Sequence, residues 1–340
     1  MRPWILLTLA VACNKGEEPS KPTSGADGSG GDDTAIPTDD TGDTGPAPCT
    51  STFYGSDPDA GTNNHYWRDP IKLTFTGAAA EPQTRISAVN AAGEGVSLSV
   101  AWDDAGLNAT VEGAGGWPAS ETITLQVTVC TDESEVSFST SEYGAPMEMG
   151  PADLVGNTYY FDLGEADYVK PAGLGAIIAI YLSQPLLISV DGATDTTISL
   201  LGAQGETDAL TGAIQQDMAL PTFGFGTADF TASPYFSATT DELLINYSGY
   251  DVPIYDFHIE GTFAADGSSI GGGIATGLGD TRDLGLLLGV GSDPGAVCEL
   301  ATTFGLECSD CPDGNPWCLD IEALFDDGPL MPGVTVVEVP

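Results

Sequence analysis

The chain has 340 residues, of which 50 are Asp or Glu and 8 are Lys or Arg, a formal net charge of −42. Phosphate backbones and anionic lipid headgroups repel such a surface, which argues against nucleic-acid binding and requires any membrane attachment to be covalent or hydrophobic. Hydrophobic residues make up 41%, enough to bury a core, and 44 Gly with 23 Pro favour short strands and turns over long helices.

Residues 1–12 read as an export signal. Arg2 supplies the positive start, and residues 4–12 form an apolar stretch too short to span a bilayer. Leu9-Ala-Val-Ala-Cys13 resembles a lipobox, with the leucine one place earlier than the commonest pattern. The resemblance implies acylation of Cys13, cleavage before it and a durable membrane anchor, since each buried CH₂ contributes about 0.8 kcal/mol. Asn14 is not the Asp that marks inner-membrane retention, so the outer membrane is expected.

Residues 13–48 form a linker of Gly, Ser, Thr, Pro and Asp, with Asp-Thr-Gly repeats and Ile36 as its one large apolar residue beyond the cysteine. Such a composition cannot bury enough surface to offset its ordering entropy, so the linker should be disordered. As a flexible chain it spans roughly 30–35 Å, the reach of a stalk.

Of seven cysteines, setting Cys13 aside leaves six, an even number that an oxidising compartment would pair. Cys49 and Cys130 bracket the first folded segment, whereas Cys298, Cys308, Cys311 and Cys318 cluster near the carboxyl end. One bridge in the first part and two in the second is the economical solution, with Cys298–Cys308 and Cys311–Cys318 preferred. The cluster could instead bind zinc as four thiolates, but export disfavours free thiolates. Cys308-Ser-Asp-Cys311 is also a CxxC, but Pro312, Asp313 and Gly314 make a turn where redox chemistry wants a helix start, and acidic neighbours raise a thiol pKa.

Residues 49–143 alternate apolar and polar positions over 70–75, 96–102, 109–111, 122–129 and 136–140, with a hairpin tip at 103–108. Period-two alternation between turn residues predicts an immunoglobulin-like β-sandwich. The order of the 57–63 turn, the strand ending at Phe75, Trp102 to Val111, the 122–129 strand and Phe138-Ser-Thr140 resembles the SbsA-like bacterial Ig-like domain. Thr76-Gly-Ala replaces the Met-Asp that often follows the strand's Phe-Ser step in that family. The resemblance implies a spacer or adhesion module without catalytic residues. Asp57, Asp59 and Asn63 place oxygen atoms at alternate positions, as a calcium loop does, but the distant acidic ligand is missing and the family turn explains the same residues.

Residues 150–340 predict strands over 156–163, 186–190, 196–201, 242–247, 254–263, 269–277 and 334–339, with a turn at Asp191-Gly192. Helices are expected over 171–182, 281–288, 294–304 and 319–325. Asp266-Gly267 is a hairpin turn signal. The expected architecture is a curled antiparallel sheet or barrel-like domain with short helices, so the whole chain is mainly β. A curled sheet with Tyr, Phe and Leu inside could hold an apolar ligand, though such residues more often form plain core.

The catalytic inventory is thin. His65 and His258 are the only histidines, and HExxH, Gly-x-Ser-x-Gly and P-loop signatures are absent. Gly271-Gly-Gly273 falls in a strand, where it would not cradle phosphate. Arg282, the only base after Lys170, is ringed by acids and reads as a salt-bridge hub, or as an anion contact. The sequence therefore predicts a non-enzymatic lipoprotein that displays an Ig-like spacer and a β-rich interaction domain to an envelope protein. A protein binding a small apolar molecule or calcium is the alternative.

Overall fold

A computed structural model describes residues 49–79, 83–173, 184–247 and 249–340. Residues 49–340 form one compact unit. The signal, Cys13, the linker and most of the helix expected over 171–182 lie outside the described residues.

The fold is mainly β, built from antiparallel sheets. In its first part, strands β1 (Phe53–Asp57), β2 (Ile71–Phe75), β5 (Leu98–Trp102) and β6 (Asn108–Gly113) form a sheet in the order β1-β2-β6-β5. Strands β3 (Thr84–Asn90), β4 (Gly95–Val96), β7 (Thr122–Val129) and β8 (Asp132–Ser139) form the second, in the order β4-β3-β7-β8. Alternation decides which side chains go inside. Ile123, Leu125, Val127 and Val129 of β7 are all buried, and the intervening residues face outward. They meet Ile71, Leu73, Phe75, Ala109 and Val111 of the first sheet in a shared core closed by Trp117 and Phe138, which makes this part a β-sandwich.

The second part also pairs two sheets. One has the order β13-β12-β11-β9, from β9 (Thr158–Asp162), β11 (Pro185–Ala193), β12 (Thr197–Thr207) and β13 (Ile214–Gln216); β14 (Phe223–Asp229) also pairs with β12. The other runs β10-β18-β17-β16-β15, from β10 (Asp167–Lys170), β15 (Tyr235–Tyr247), β16 (Tyr250–Phe263), β17 (Ser269–Asp280) and β18 (Cys318–Pro329). Neither closes into a barrel. The inward Tyr and Phe side chains pack on one another: the Phe263 ring lies 5.2 Å from Phe236 and 5.4 Å from Tyr159, and Phe161 lies 5.3 Å from Phe325. No helix among the described residues is long and apolar enough to cross a membrane.

Several local expectations need correction. Residues 319–325, expected as a helix, lie within β18. Leu319, Ile321, Ala323 and Phe325 recur with period two, and Ala323 and Phe325 are buried on the core side. Asp191-Gly192 is an irregularity inside β11, and the chain reverses at Thr194–Thr197, closed by the Thr194 N–H on the Thr197 carbonyl. The helices of the carboxyl region shrink to α1 (Leu284–Leu287) and α2 (Ala296–Thr302), because Gly289, Gly291 and Gly305 adopt positive φ and end each turn. The final segment is no ladder strand. It is held by the Gln216 amide, which exchanges two hydrogen bonds with the Val337 backbone, and by Thr222, whose backbone N–H and hydroxyl both bond the Val339 backbone.

The cysteines pair as Cys49–Cys130, Cys298–Cys308 and Cys311–Cys318, with Cα separations of 5.9, 5.7 and 5.2 Å. The last two bridges pin the loop between β17 and β18, a segment whose own core is small: Val297, Ala301 and Leu319.

Candidate functional site

The seam between the two sandwiches is built by the segment His65–Asp69, which leaves the 57–63 turn and crosses to the second half. His65 is buried; its Nε2 lies 3.0 Å from the Asp69 carbonyl and its ring packs edge-on to Phe138. Trp67 is buried among Tyr66, Tyr143 and Ala264, and two glycines let the backbone close on its ring. A Cβ on Gly116 would sit 2.1 Å from its ring, and one on Gly144 2.5 Å. The Trp67 indole N–H donates to Thr262 Oγ1 of β16 at 3.0 Å, and the Tyr66 hydroxyl meets the same oxygen at 2.5 Å. Arg68 stacks its guanidinium 3.9 Å over the Tyr235 ring of β15. The Tyr235 hydroxyl donates to the Glu260 carboxylate, and burial, then that bond, push its pKa up to about 12.

Gly271 and Gly272 explain why a glycine run sits in β17. A Cβ on Gly271 would lie 2.0 Å from the Tyr143 ring, and one on Gly272 2.2 Å from the Tyr66 ring. Gly272 also adopts φ +58°, between the pairs Gly271–Asp327 and Gly273–Phe325. The bare strand is therefore a platform on which two rings from the first half lie. Tyr143 finishes the contact: its hydroxyl donates to the Asp327 carboxylate of β18 and lies 2.9 Å from Ser269 Oγ. Burial first, and then Asp327, hold the Tyr143 pKa far above its ordinary value.

Beside this lock opens a cleft of about 630 Å³. Thr62, Asn63, Asn64, His65, Tyr66, Asp69 and Ser141–Tyr143 come from the first half, and Gly272–Ile274 with Leu324–Asp327 from β17 and β18. It holds four carboxylates, Asp69, Glu142, Asp326 and Asp327, and no Lys or Arg. Desolvation, reinforced by Glu260 and opposed by His65, raises the Asp69 pKa even though that residue keeps solvent exposure. Ser141 is 2% exposed and its hydroxyl has no hydrogen-bond partner among the described residues.

The sequence-derived candidates fall as follows. Asn63 lines the cleft, whereas Asp57 and Asp59 do not: Asp57 stands opposite Lys72 in the β1–β2 ladder, and the Asp59 carbonyl accepts from Thr62 in a tight turn. Among the described residues no three His, Cys, Asp or Glu side chains gather as metal ligands would. His258 lies 3.6 Å from Glu260 on β16. Arg282 is a hub: it grips Asp280 through Nε at 2.9 Å and through Nη2, and its Nη1 bonds Asp313. The seam residues Tyr66, Trp67, Tyr143 and Asp327 escaped the sequence reading. An aromatic cluster in a loop and a glycine triplet in a strand are visible signals, but nothing in the sequence says that one covers the other.

Thr262 is fully buried and serves both Tyr66 and Trp67. Thr262→Val keeps the shape and leaves the Trp67 indole N–H and the Tyr66 hydroxyl without their shared partner, so we expect a loss of about 2 kcal/mol, read from the urea midpoint at unchanged slope.

No family model matches the chain, and no curated protein does. Among solved structures, CopC from Methylosinus trichosporium OB3b aligns at 17% identity over 27% of this chain and 93% of its own, with a TM-score of 0.23. An L,D-transpeptidase from Mycobacterium smegmatis aligns at 14% identity over 63% of this chain and 77% of its own, with a TM-score of 0.22. The S-layer protein rSbsC(31-844) aligns at 10% identity over 81% of this chain and 51% of its own, with a TM-score of 0.23. Likenesses this distant carry no argument about fold or activity.

Proposed function

We propose that the chain is an exported, lipid-anchored, non-enzymatic protein that displays one fused two-module body at the cell envelope. In this reading residues 1–12 are the signal, Cys13 carries the lipid, residues 13–48 are the stalk, and residues 49–143 are an SbsA-like Ig-like module joined to the 150–340 module. The outer membrane is the proposed location and an envelope protein the proposed partner.

The observation that carries the display reading is the seating of Tyr66 and Tyr143 on Gly271 and Gly272. It makes the first module one wall of a cleft rather than a loose spacer. Pairing of all six remaining cysteines supports an oxidising compartment. The non-enzymatic reading is supported by the cleft's chemistry. Among the described residues no base is bonded to Ser141, and His65 is engaged with a backbone carbonyl.

Labelling cells with radioactive palmitate tests the anchor. The wild-type chain should carry label and sediment with outer membranes, and Cys13→Ala should lose the label entirely. Equal labelling of both proteins would reject the reading.

A further inference from the structure

We propose that the open edge of the first sheet is a self-association surface, on which β5 of one chain pairs antiparallel with β5 of a second copy. The pairing depends on neither the lipid anchor nor an envelope partner.

β5 ends the sheet β1-β2-β6-β5. Its ladder with β6 is flanked by the Ala114 N–H on the Ser97 carbonyl and the Asp103 N–H on the Asn108 carbonyl, so the odd-numbered residues bond β6. Bonding alternates along an antiparallel pair, and the N–H and C=O groups of Leu98, Val100 and Trp102 therefore point away from β6. Among the described residues nothing bonds to them. Ser99, Val100 and Ala101 are exposed in succession, so this edge is open from both faces of the sheet. Such a row of unpaired backbone groups is a template for another strand, and proteins ordinarily blunt it with charges, a bulge or a cover. Three other edges here are blunted. β8 carries Asp132, Glu133 and Glu135, and the 61–65 segment bonds its Ser137 and Ser139. The Gln204 amide closes β15 with two bonds to the Asn246 backbone, and the Met331 N–H bonds Thr158 of β9. By contrast, Gly95 to Trp102 holds no charged residue in a chain of 50 acids.

The register identifies the occupant. A two-fold axis through Val100 sets that residue against its own copy and Leu98 against Trp102 of the second copy. Every facing pair then joins residues whose free groups point at each other, so the whole open edge is satisfied on both chains. Leu98, Val100 and Trp102 lie opposite Gly113, Val111 and Ala109 and share the face of the buried Val111 and Ala109. The side chains that meet across the axis are thus apolar, and Val100, 38% exposed, gains cover. No acid meets an acid. Ser99 faces Ala101, and Ser97 faces Asp103, whose carboxylate is already held by the Leu107 N–H and the Asn108 amide. Glu112 lies on β6 opposite Ser99. At a strand spacing of about 4.8 Å the two β6 strands stand about 14 Å apart, beyond the Debye length of about 8 Å at 0.15 M salt. The net charge of −42 is thereby kept away from the contact.

Sedimentation equilibrium of the full-length protein tests this, in density-matched neutral detergent with micelles in large excess over chains. At 0.15 M salt the wild type should pass from one chain to two across the micromolar range. Val100→Lys should weaken the dimer at least tenfold although it lowers the net negative charge, because two like charges then face each other across the axis. Val100→Glu should weaken it as much. An equimolar mixture of the two variants should pair within threefold of the wild type, because opposite charges then meet. A substitution that merely distorted β5 would not be rescued by mixing, and circular dichroism melts establish that each variant is folded. A wild type that stays monomeric would overturn the proposal, as would a dimer that either substitution leaves unchanged. Failure of the mixture to pair would overturn it as well.

Discussion

Gly272→Ala is expected to destabilise the protein by about 3 kcal/mol, an effect out of proportion to one methyl group. Two costs add. The residue has φ +58°, a conformation that costs an L side chain about 1 kcal/mol. Its new Cβ would also stand 2.2 Å from the Tyr66 ring, closer than any real contact, and moving the ring breaks its bond to Thr262. Overpacking of this kind typically costs about 1–3 kcal/mol. Gly226→Ala separates the two contributions, because Gly226 has a similar φ of +64° with nothing within 4 Å of its Cβ. That variant should lose only about 1 kcal/mol. Adding Tyr66→Ala to Gly272→Ala should recover part of the loss, a coupling that independent sites would not show. If Gly272→Ala and Gly226→Ala proved equally mild, the rings would not be seated on the strand as described.

Arg282→Ala is expected to cost about 3 kcal/mol, near the lower end for breaking a buried pair. The Asp280 side chain is 6% exposed and Arg282 28%, so truncation leaves a nearly buried carboxylate without its counter-charge. Asp313 loses a partner as well, and Trp317 loses the guanidinium 5.7 Å above its ring. The sign of the pH dependence follows from Asp280. Burial raises its pKa, the hydrogen bonds and charge of Arg282 lower it by more, and the net result is below the ordinary 3.8. A carboxyl depressed in the folded state contributes stability that is present above the unfolded value and lost as pH falls through the folded one. The gap in denaturation midpoint between wild type and Arg282→Ala should thus be full near pH 6 and narrow below about pH 3.8. A gap that stays constant down to pH 2 would show that the pair contributes by packing alone.

The legible part of the fold was what period-two patterning encodes. Residues 122–129 alternate without a break and form β7 as expected, and Asp266-Gly267 turns the β16–β17 hairpin. Residues 319–325, expected as a helix, carry the same alternation, and pairing with β17 over the full length of β18 makes them a strand. The two bridges of the carboxyl cluster were legible from spacing, because short loops favour neighbours. The site was far less legible. In the sequence Asn63 stands out only as a possible calcium ligand beside Asp57 and Asp59, and Gly271 to Gly273 only as a strand glycine run that would not cradle phosphate. Their role depends on Tyr66 and Tyr143, more than 120 residues away in sequence, and long-range ring-on-backbone contact leaves no local pattern. Glu142, Asp326 and Asp327 were invisible among 50 acids for the same reason.

The claim on which the account turns is that the two modules of residues 49–340 form one body with the cleft at its seam. Differential scanning calorimetry of the intact chain tests it most directly. We predict a single transition whose van 't Hoff and calorimetric enthalpies agree, moved as a whole to lower temperature by Gly272→Ala. Two resolved transitions, only one of them shifted by that substitution, would contradict it.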